Sequence, residues 1–156
     1  MYDIDYTIRP VMAEDMVQLI SLSAQHAEYE QAEYSSEGKE EQLAQHLFCD
    51  TPKIFCLVAV SGHQLIGYAS YTFEFSTWEA ALFLHLDCLF IVEHARRQGV
   101  GHAFFKLIAS AANEHHCRII QWQSPLWNET AIRFYHHLGA ISKEKKRFYL
   151  FTDQLH

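Results

Sequence analysis

The stretch from residue 81 to residue 115 constrains this chain more than any other. ALFLHLDCLFIV (81–92) is an apolar run with the length and content of a buried strand. RRQGVG (96–101) follows, and its two glycines allow the backbone to turn tightly. Val100, Phe104, Leu107, Ile108 and Ala111 then fall on one face of a helix running to about His115. A strand, a glycine turn and an amphipathic helix in sequence require a sheet with a helix packed on it. They also set the first N–H groups of that helix at the strand's end, where a phosphate is well received.

The rest of the chain supplies the remaining elements of such a sheet. Tyr6–Arg9 reads as a short strand stopped by Pro10. Met16, Leu19, Ile20 and Leu22 have helical spacing within 13–27, and Leu43, Leu47 and Phe48 mark a second helix over 39–48. IFCLVAV (54–60) and LIGYASYTFEF (65–75) are strands joined by a tight turn at Gly62. RIIQWQ (118–123) predicts another strand, and Asn128 to Gly139 a helix with Ala131, Phe134, Tyr135 and Leu138 on its apolar side. RFYLFTD (147–153) predicts a last strand. The result is a mixed α/β (α+β) architecture on one twisted sheet, read as a single domain over residues 1–156.

Composition excludes several classes. No run of 18 uncharged apolar residues exists, so no membrane partner is expected, and the acidic N-terminus lacks a signal-peptide pattern. Cys49, Cys56, Cys88 and Cys117 form no CxxC pair and read as reduced thiols of a cytoplasmic protein. No HExxH is present among the eleven histidines, and no metal is expected. Residues 1–50 hold eleven acids against Arg9 and Lys39, and the whole chain carries −7. An acidic N-terminal third is a poor nucleic-acid surface, and the short KEKKR run (143–147) reads as a solvated turn. That acidity either favours a cationic substrate or is a solvated helical face.

The glycine turn lacks the Lys-Ser/Thr pair of a P-loop, since His102 and Ala103 follow Gly101. It also lacks a third glycine, and the next strand ends in Gln121, Trp122 and Gln123 rather than an acid, so a dinucleotide fold does not fit. A helix-start turn with no ligand is the plain alternative.

Arg96-Arg97-Gln98-Gly99-Val100-Gly101 resembles the Gln/Arg-x-x-Gly-x-Gly/Ala pattern of the GNAT superfamily of N-acetyltransferases. PLWNETAIRFYHHLGA (125–140) is similar to that superfamily's C-terminal signature, and the resemblance runs from Ile54 to Phe151. It implies a central, mostly antiparallel twisted sheet flanked by helices, with acetyl-coenzyme A as cofactor. The implied cofactor contacts are Arg96, Arg97, Gln98, Gly99, Val100, Gly101 and His102 at the pyrophosphate. Leu89, Phe90 and Ile91 follow along the strand, and Asn128, Ala131, Phe134 and Tyr135 come from the signature helix. Within the superfamily, GYASYTFEFSTW (67–78) and LHLDCLFIVEHARRQGVG (84–101) are closest to the diamine group, which includes spermidine/spermine and thialysine acetyltransferases. That group usually has Glu-Asp where Asp87-Cys88 stands, and often Asp-Pro where Ser76-Thr77 stands.

The resemblance implies transfer of an acetyl group to a primary amine, with Tyr135 as general acid. A strand N–H beside a bulge, carried by Leu89 or Phe90, would meet the developing oxyanion. Asp87 is a base, a substrate-positioning group or a structural carboxylate; an ordinary carboxylate, near 4, is a weak base. His85 competes for the base role, because strand alternation gives it the face of Asp87. Glu28, Tyr29, Glu30, Glu33 and Trp78 would line an amine entrance. The expected acceptor is a small diamine, a polyamine or a lysine-like amino acid, and a homodimer is implied. Peptide acetylation and a non-catalytic coenzyme A-binding regulator are the alternatives.

Overall fold

Alternating apolar residues in three long segments make the frame: β2 (Ile54–Ser61), β3 (Gln64–Ser76) and β4 (Ala81–Ile91). The computed structural model describes residues 3–155. It divides into two compact units, one ending at Gln123 and the other beginning at Ser124.

The first unit is a five-stranded sheet in the order of the sequence. β1 (Thr7–Pro10), β2, β3 and β4 are antiparallel neighbours, and β5 (Ile120–Gln121) joins β4 in parallel. A 3-10 turn at Ala13–Asp15 leads into α1 (Met16–Tyr29), and α2 is Lys39–Leu47. The strand–turn–helix expectation holds, with α3 at Val100–Glu114. β5 is shorter than the predicted 118–123, because only Leu84↔Ile120 and His85↔Gln121 pair before β4 continues alone.

Each sheet face has its own core. On one face α3 places Val100, Phe104, Ile108 and Ala112 with Ala69, Tyr71, Leu84 and Leu86. On the other, Met16, Leu19 and Leu22 of α1 lie with Cys56, Val58, Tyr68 and Phe90, and Leu43 and Leu47 of α2 are half-buried against them. Arg9 fixes the start of α1. Its guanidinium donates to both oxygens of the buried Asp15 carboxylate, at 2.6 and 3.0 Å, and the Met12 N–H donates to one of them at 2.7 Å. Hydrogen bonding from Arg9 holds that carboxyl below the usual carboxylate range. Gly67 sits where β3 crosses α3: a Cβ there would meet the Phe90 carbonyl oxygen at 2.9 Å.

The second unit holds α4 (Glu129–His137). Gly139 follows with a positive φ of 92°, and the Ala140 N–H donates back to the Tyr135 carbonyl, as a left-handed C-terminal cap does. The predicted strand over 147–153 is not formed. Phe148, Tyr149, Leu150 and Phe151 are exposed, and a 3-10 turn follows at Thr152–Gln154. Its apolar content suits a strand, but strand N–H and C=O groups need a partner, and among the described residues none pairs with it. Among the described residues no helix is long and apolar enough to cross a membrane.

Candidate active site

Asp87 is the extra residue of a β-bulge. Ser70 pairs with Cys88 and Tyr71 with Leu86, so Asp87 has no residue opposite it. Before the bulge Leu84 and Leu86 join the core under α3; after it Leu89 and Ile91 pack there, and Cys88 and Phe90 belong to the α1 face. The simple alternation that put His85 and Asp87 on one face therefore runs through Asp87 and breaks at Cys88, which shares the face of Asp87. His85 pairs with Thr72 and Gln121. Asp87 and Cys88, though adjacent, both line a cavity that His85 does not reach.

That cavity, about 630 Å³, lies between α1, α2 and the sheet. Its apolar walls include Leu19, Leu43 and Leu47, with Tyr34 alongside. Its polar groups form hydrogen-bonded sets. Ser70 Oγ donates to Asp87 Oδ2 at 3.3 Å, and the Cys88 thiol lies 3.6 Å from the same oxygen. The Tyr68 hydroxyl lies 2.8 Å from His26 Nδ1. His26 Nε2 is 3.2 Å from Glu30 Oε1. Burial, with Asp87 beside it, pushes the Cys88 thiol up to about 11, and burial pushes Cys56 up to about 12. Neither thiol offers a thiolate at neutral pH, so neither is suited to carry an acyl group. Burial also raises Tyr68, which keeps its hydroxyl protonated.

The glycine turn stands beyond the end of β4. Arg97 and Gly99 both take left-handed backbone, with φ of 61° and 81°. At Gly99 a side chain would be strained whatever the space around it. Val100, Gly101 and His102 begin α3, so their N–H groups have no acceptor within the helix. Such a turn suits an anion. The side chains of two of the expected ligands brace it. Arg96 Nε donates to the Ile91 carbonyl at 2.8 Å, and its guanidinium lies 4.8 Å over the Tyr29 ring. Gln98 accepts from the Ile4 N–H at 2.8 Å and donates to the His94 carbonyl at 3.0 Å. Arg97 is exposed. Leu89, Phe90 and Ile91 lie beyond the last β4–β5 pair, where β4 has no ladder partner on that edge among the described residues. The Phe90 ring stacks on His26 at 5.2 Å.

In the second unit, Asn128 is the N-cap of α4: its Oδ1 accepts from the Ala131 N–H at 3.3 Å. Phe134 and Tyr135 are neighbours on that helix, with ring centroids 5.5 Å apart. Glu30 lines the cavity. Glu28, Glu33 and Tyr29 are exposed and are not among the lining residues. Trp78 is in the β3–β4 hairpin turn, 96% exposed and outside the cavity. His26, Tyr68 and Ser70 were not anticipated. Their signal was present as spacing: His26 and Glu30 are one helical turn apart, and Tyr68 and Ser70 share a strand face.

Comparison with known proteins adds three findings. Residues 19–140 match the profile of the Acetyltransferase (GNAT) family. Thialysine N-epsilon-acetyltransferase of Bos taurus is 30% identical over 141 residues, covering 85% of this chain and 82% of that protein. A transcriptional regulator from Bacillus halodurans shares the fold, with a TM-score of 0.81 at 20% identity, over 94% of this chain and all of that one.

Proposed function

The chain belongs to the acetyltransferase (GNAT) family, and we propose that it transfers the acetyl group of acetyl-coenzyme A to a primary amine of a small cationic molecule. A diamine, a polyamine or a lysine-like amino acid is the acceptor. One observation carries this: a single strand, β4, brings Asp87 to the cavity and then runs on to the anion-suited turn before α3. The similarity to thialysine acetyltransferases supports the acceptor class. The family match spans the boundary between the two units, which supports one catalytic domain.

The turn fits the cofactor, since left-handed backbone and three outward N–H groups leave room and donors for a pyrophosphate. Val100, Gly101 and His102 would hold it through backbone, with Arg97 adding charge, while Arg96 and Gln98 keep the turn in shape. When bound, the cofactor supplies an acyl group activated as a thioester. Asp87 holds the amine's positive end and Ser70 fixes the carboxylate. Tyr135 Oη is the proposed proton donor. The raised thiols support direct transfer, without an acyl-cysteine stage. Four free cysteines support a reducing, cytoplasmic setting. The exposed run Phe148–Phe151 supports a homodimer, and sedimentation equilibrium decides it.

The test is coenzyme A thiol release across spermidine, putrescine, thialysine, lysine, an aminoglycoside and short peptides. The small cationic amines should lead. Reaction with peptides alone would overturn the acceptor class.

A further inference from the structure

Amine acetylation needs a neutral amine, yet a small primary amine reaches a neutral solution as an ammonium. Its proton has to go somewhere before the nitrogen can attack. Asp87 is a carboxylate, and carboxylates as a class are weaker bases than imidazoles. Two imidazoles line the cavity, His26 and His46, and His26 is held from three sides. His26 Nδ1 lies 2.8 Å from the Tyr68 hydroxyl, Nε2 lies 3.2 Å from Glu30, and the ring stacks on Phe90.

These contacts fix the tautomer. An ionised carboxylate only accepts hydrogen bonds, so Nε2 carries the hydrogen and donates it to Glu30. Nδ1 is then the lone-pair nitrogen, and the Tyr68 O–H donates to it. Tyr68 is 4% exposed and lines the cavity, as Asp87 does. A line of hydrogen bonds therefore runs from the cavity at Tyr68 through His26 to Glu30.

We propose that Tyr68, His26 and Glu30 are a proton relay serving the acceptor amine, with His26 as the final base. This rests on the acetyltransferase reading above. The amine's N–H bond breaks and its proton joins the Tyr68 oxygen. Tyr68 gives its own hydrogen to His26 Nδ1 in the same transfer, so it is a neutral phenol before and after. His26 becomes an imidazolium, and the Glu30 carboxylate at Nε2 balances the charge. Tyr68 touches the substrate and is catalytic; His26 and Glu30 act through it. The raised Tyr68 pKa agrees with this, because a phenol that stays protonated can pass a proton without leaving a charge behind.

The groups facing His26 are few. Glu30 lies one turn along from it, Tyr68 comes from β3, and Phe90 of β4 stacks on the ring. Arg96 lies 5.7 Å over that Phe90 ring.

The test uses the full chain and variants Tyr68→Phe, His26→Gln and Glu30→Gln, with thialysine and spermidine as amines. Near neutral pH, Y68F and H26Q should lose about tenfold or more in kcat/KM for the amine. The loss should shrink as pH rises toward the amine's own pKa, where the amine arrives neutral and the relay is unnecessary. That recovery at high pH also shows that the variants are folded. Glu30→Gln should give a smaller loss in the same direction. Coenzyme A affinity, read by calorimetry, should not change.

Nitrogen NMR of the imidazole gives a readout without turnover. With thialysine and coenzyme A bound, wild-type His26 should pass from the Nε2–H tautomer to imidazolium, and in Y68F it should not. Wild-type turnover with unchanged pH profiles in H26Q and Y68F would overturn the relay and leave the acetyltransferase reading standing. A wild type inert toward every amine would overturn both.

Discussion

The two faces of the sheet are built from the same strands and do different work. Under α3, Phe104, Leu84 and Ile108 are fully buried and the packed side chains are almost entirely apolar. Under α1 and α2, apolar residues share the surface with Ser70, Tyr68, Asp87 and Cys88 around an open cavity. Apolar burial contributes about 25 cal/mol per Å², so a face that keeps a cavity gives up stabilisation for access. One face holds the strands in place, and that lets the other hold polar groups at fixed distances.

The largest expected effect breaks the supporting face. Phe104→Ala should destabilise by about 3–5 kcal/mol in denaturant titrations. Where the variant is still folded, its KM for the amine should be normal. A loss under about 1 kcal/mol would mean that the α3 face is not the main support.

Next comes the anchor of the reactive face. Arg9→Ala leaves Asp15 buried without its partner and should cost about 1–3 kcal/mol, part of the pair being open to solvent. The pH dependence has a definite sign. Asp15 is held below its unfolded value, near 4, so its contribution is complete above that value and fades as pH falls through the folded one. Thermal melts of the wild type should therefore weaken in acid through that window, and those of R9A should be flatter there.

Asp87→Asn tests the reactive face alone. Amine turnover should fall about tenfold to a hundredfold, while stability moves by less than about 0.5 kcal/mol, since Asp87 is exposed and outside the ladder. A large loss of stability with turnover intact would reverse the roles given to the two faces.

The smallest effect concerns Trp78. Trp78→Ala should change stability by less than about 0.5 kcal/mol and leave the amine KM as it was, because the ring is almost wholly in solvent. A raised KM would bring the hairpin turn into the site.

Much of the supporting face was legible. Helical spacing over Val100 to Ala111 and the apolar run before the glycines follow from periodicity, and the structure has both. The reactive face was less so. Period-two reasoning has no way to register an extra residue, so it set Cys88 on the face opposite Asp87, and the bulge brings the two to one cavity. His26 looked like any polar position of α1 until Tyr68, 42 residues away, came within 2.8 Å. The resemblance drew attention to Arg96 and Gln98 as ligands, yet both side chains are committed to backbone groups of their own unit. RFYLFTD shows the converse error, since strand content in a sequence does not provide a strand's neighbour.

The bulge at Asp87 also separates the acid from the scaffold. Ser70 and Tyr71 are consecutive on β3, and their partners Cys88 and Leu86 would be consecutive on β4 if Asp87 were absent. Odd and even positions would then count in phase along the whole strand, and no other side chain would change sides. The carboxylate is in that sense an insertion into a complete strand, removable by a one-residue deletion that keeps every neighbour's orientation. Cys88 shares that face, so deleting it instead would keep the same parity, whereas deleting any other single residue between Leu84 and Ile91 would turn part of the strand over and exchange core for cavity. The chain thus keeps its reactive acid in the bulge pair of β4, where adding or losing a residue leaves the parity of the rest untouched.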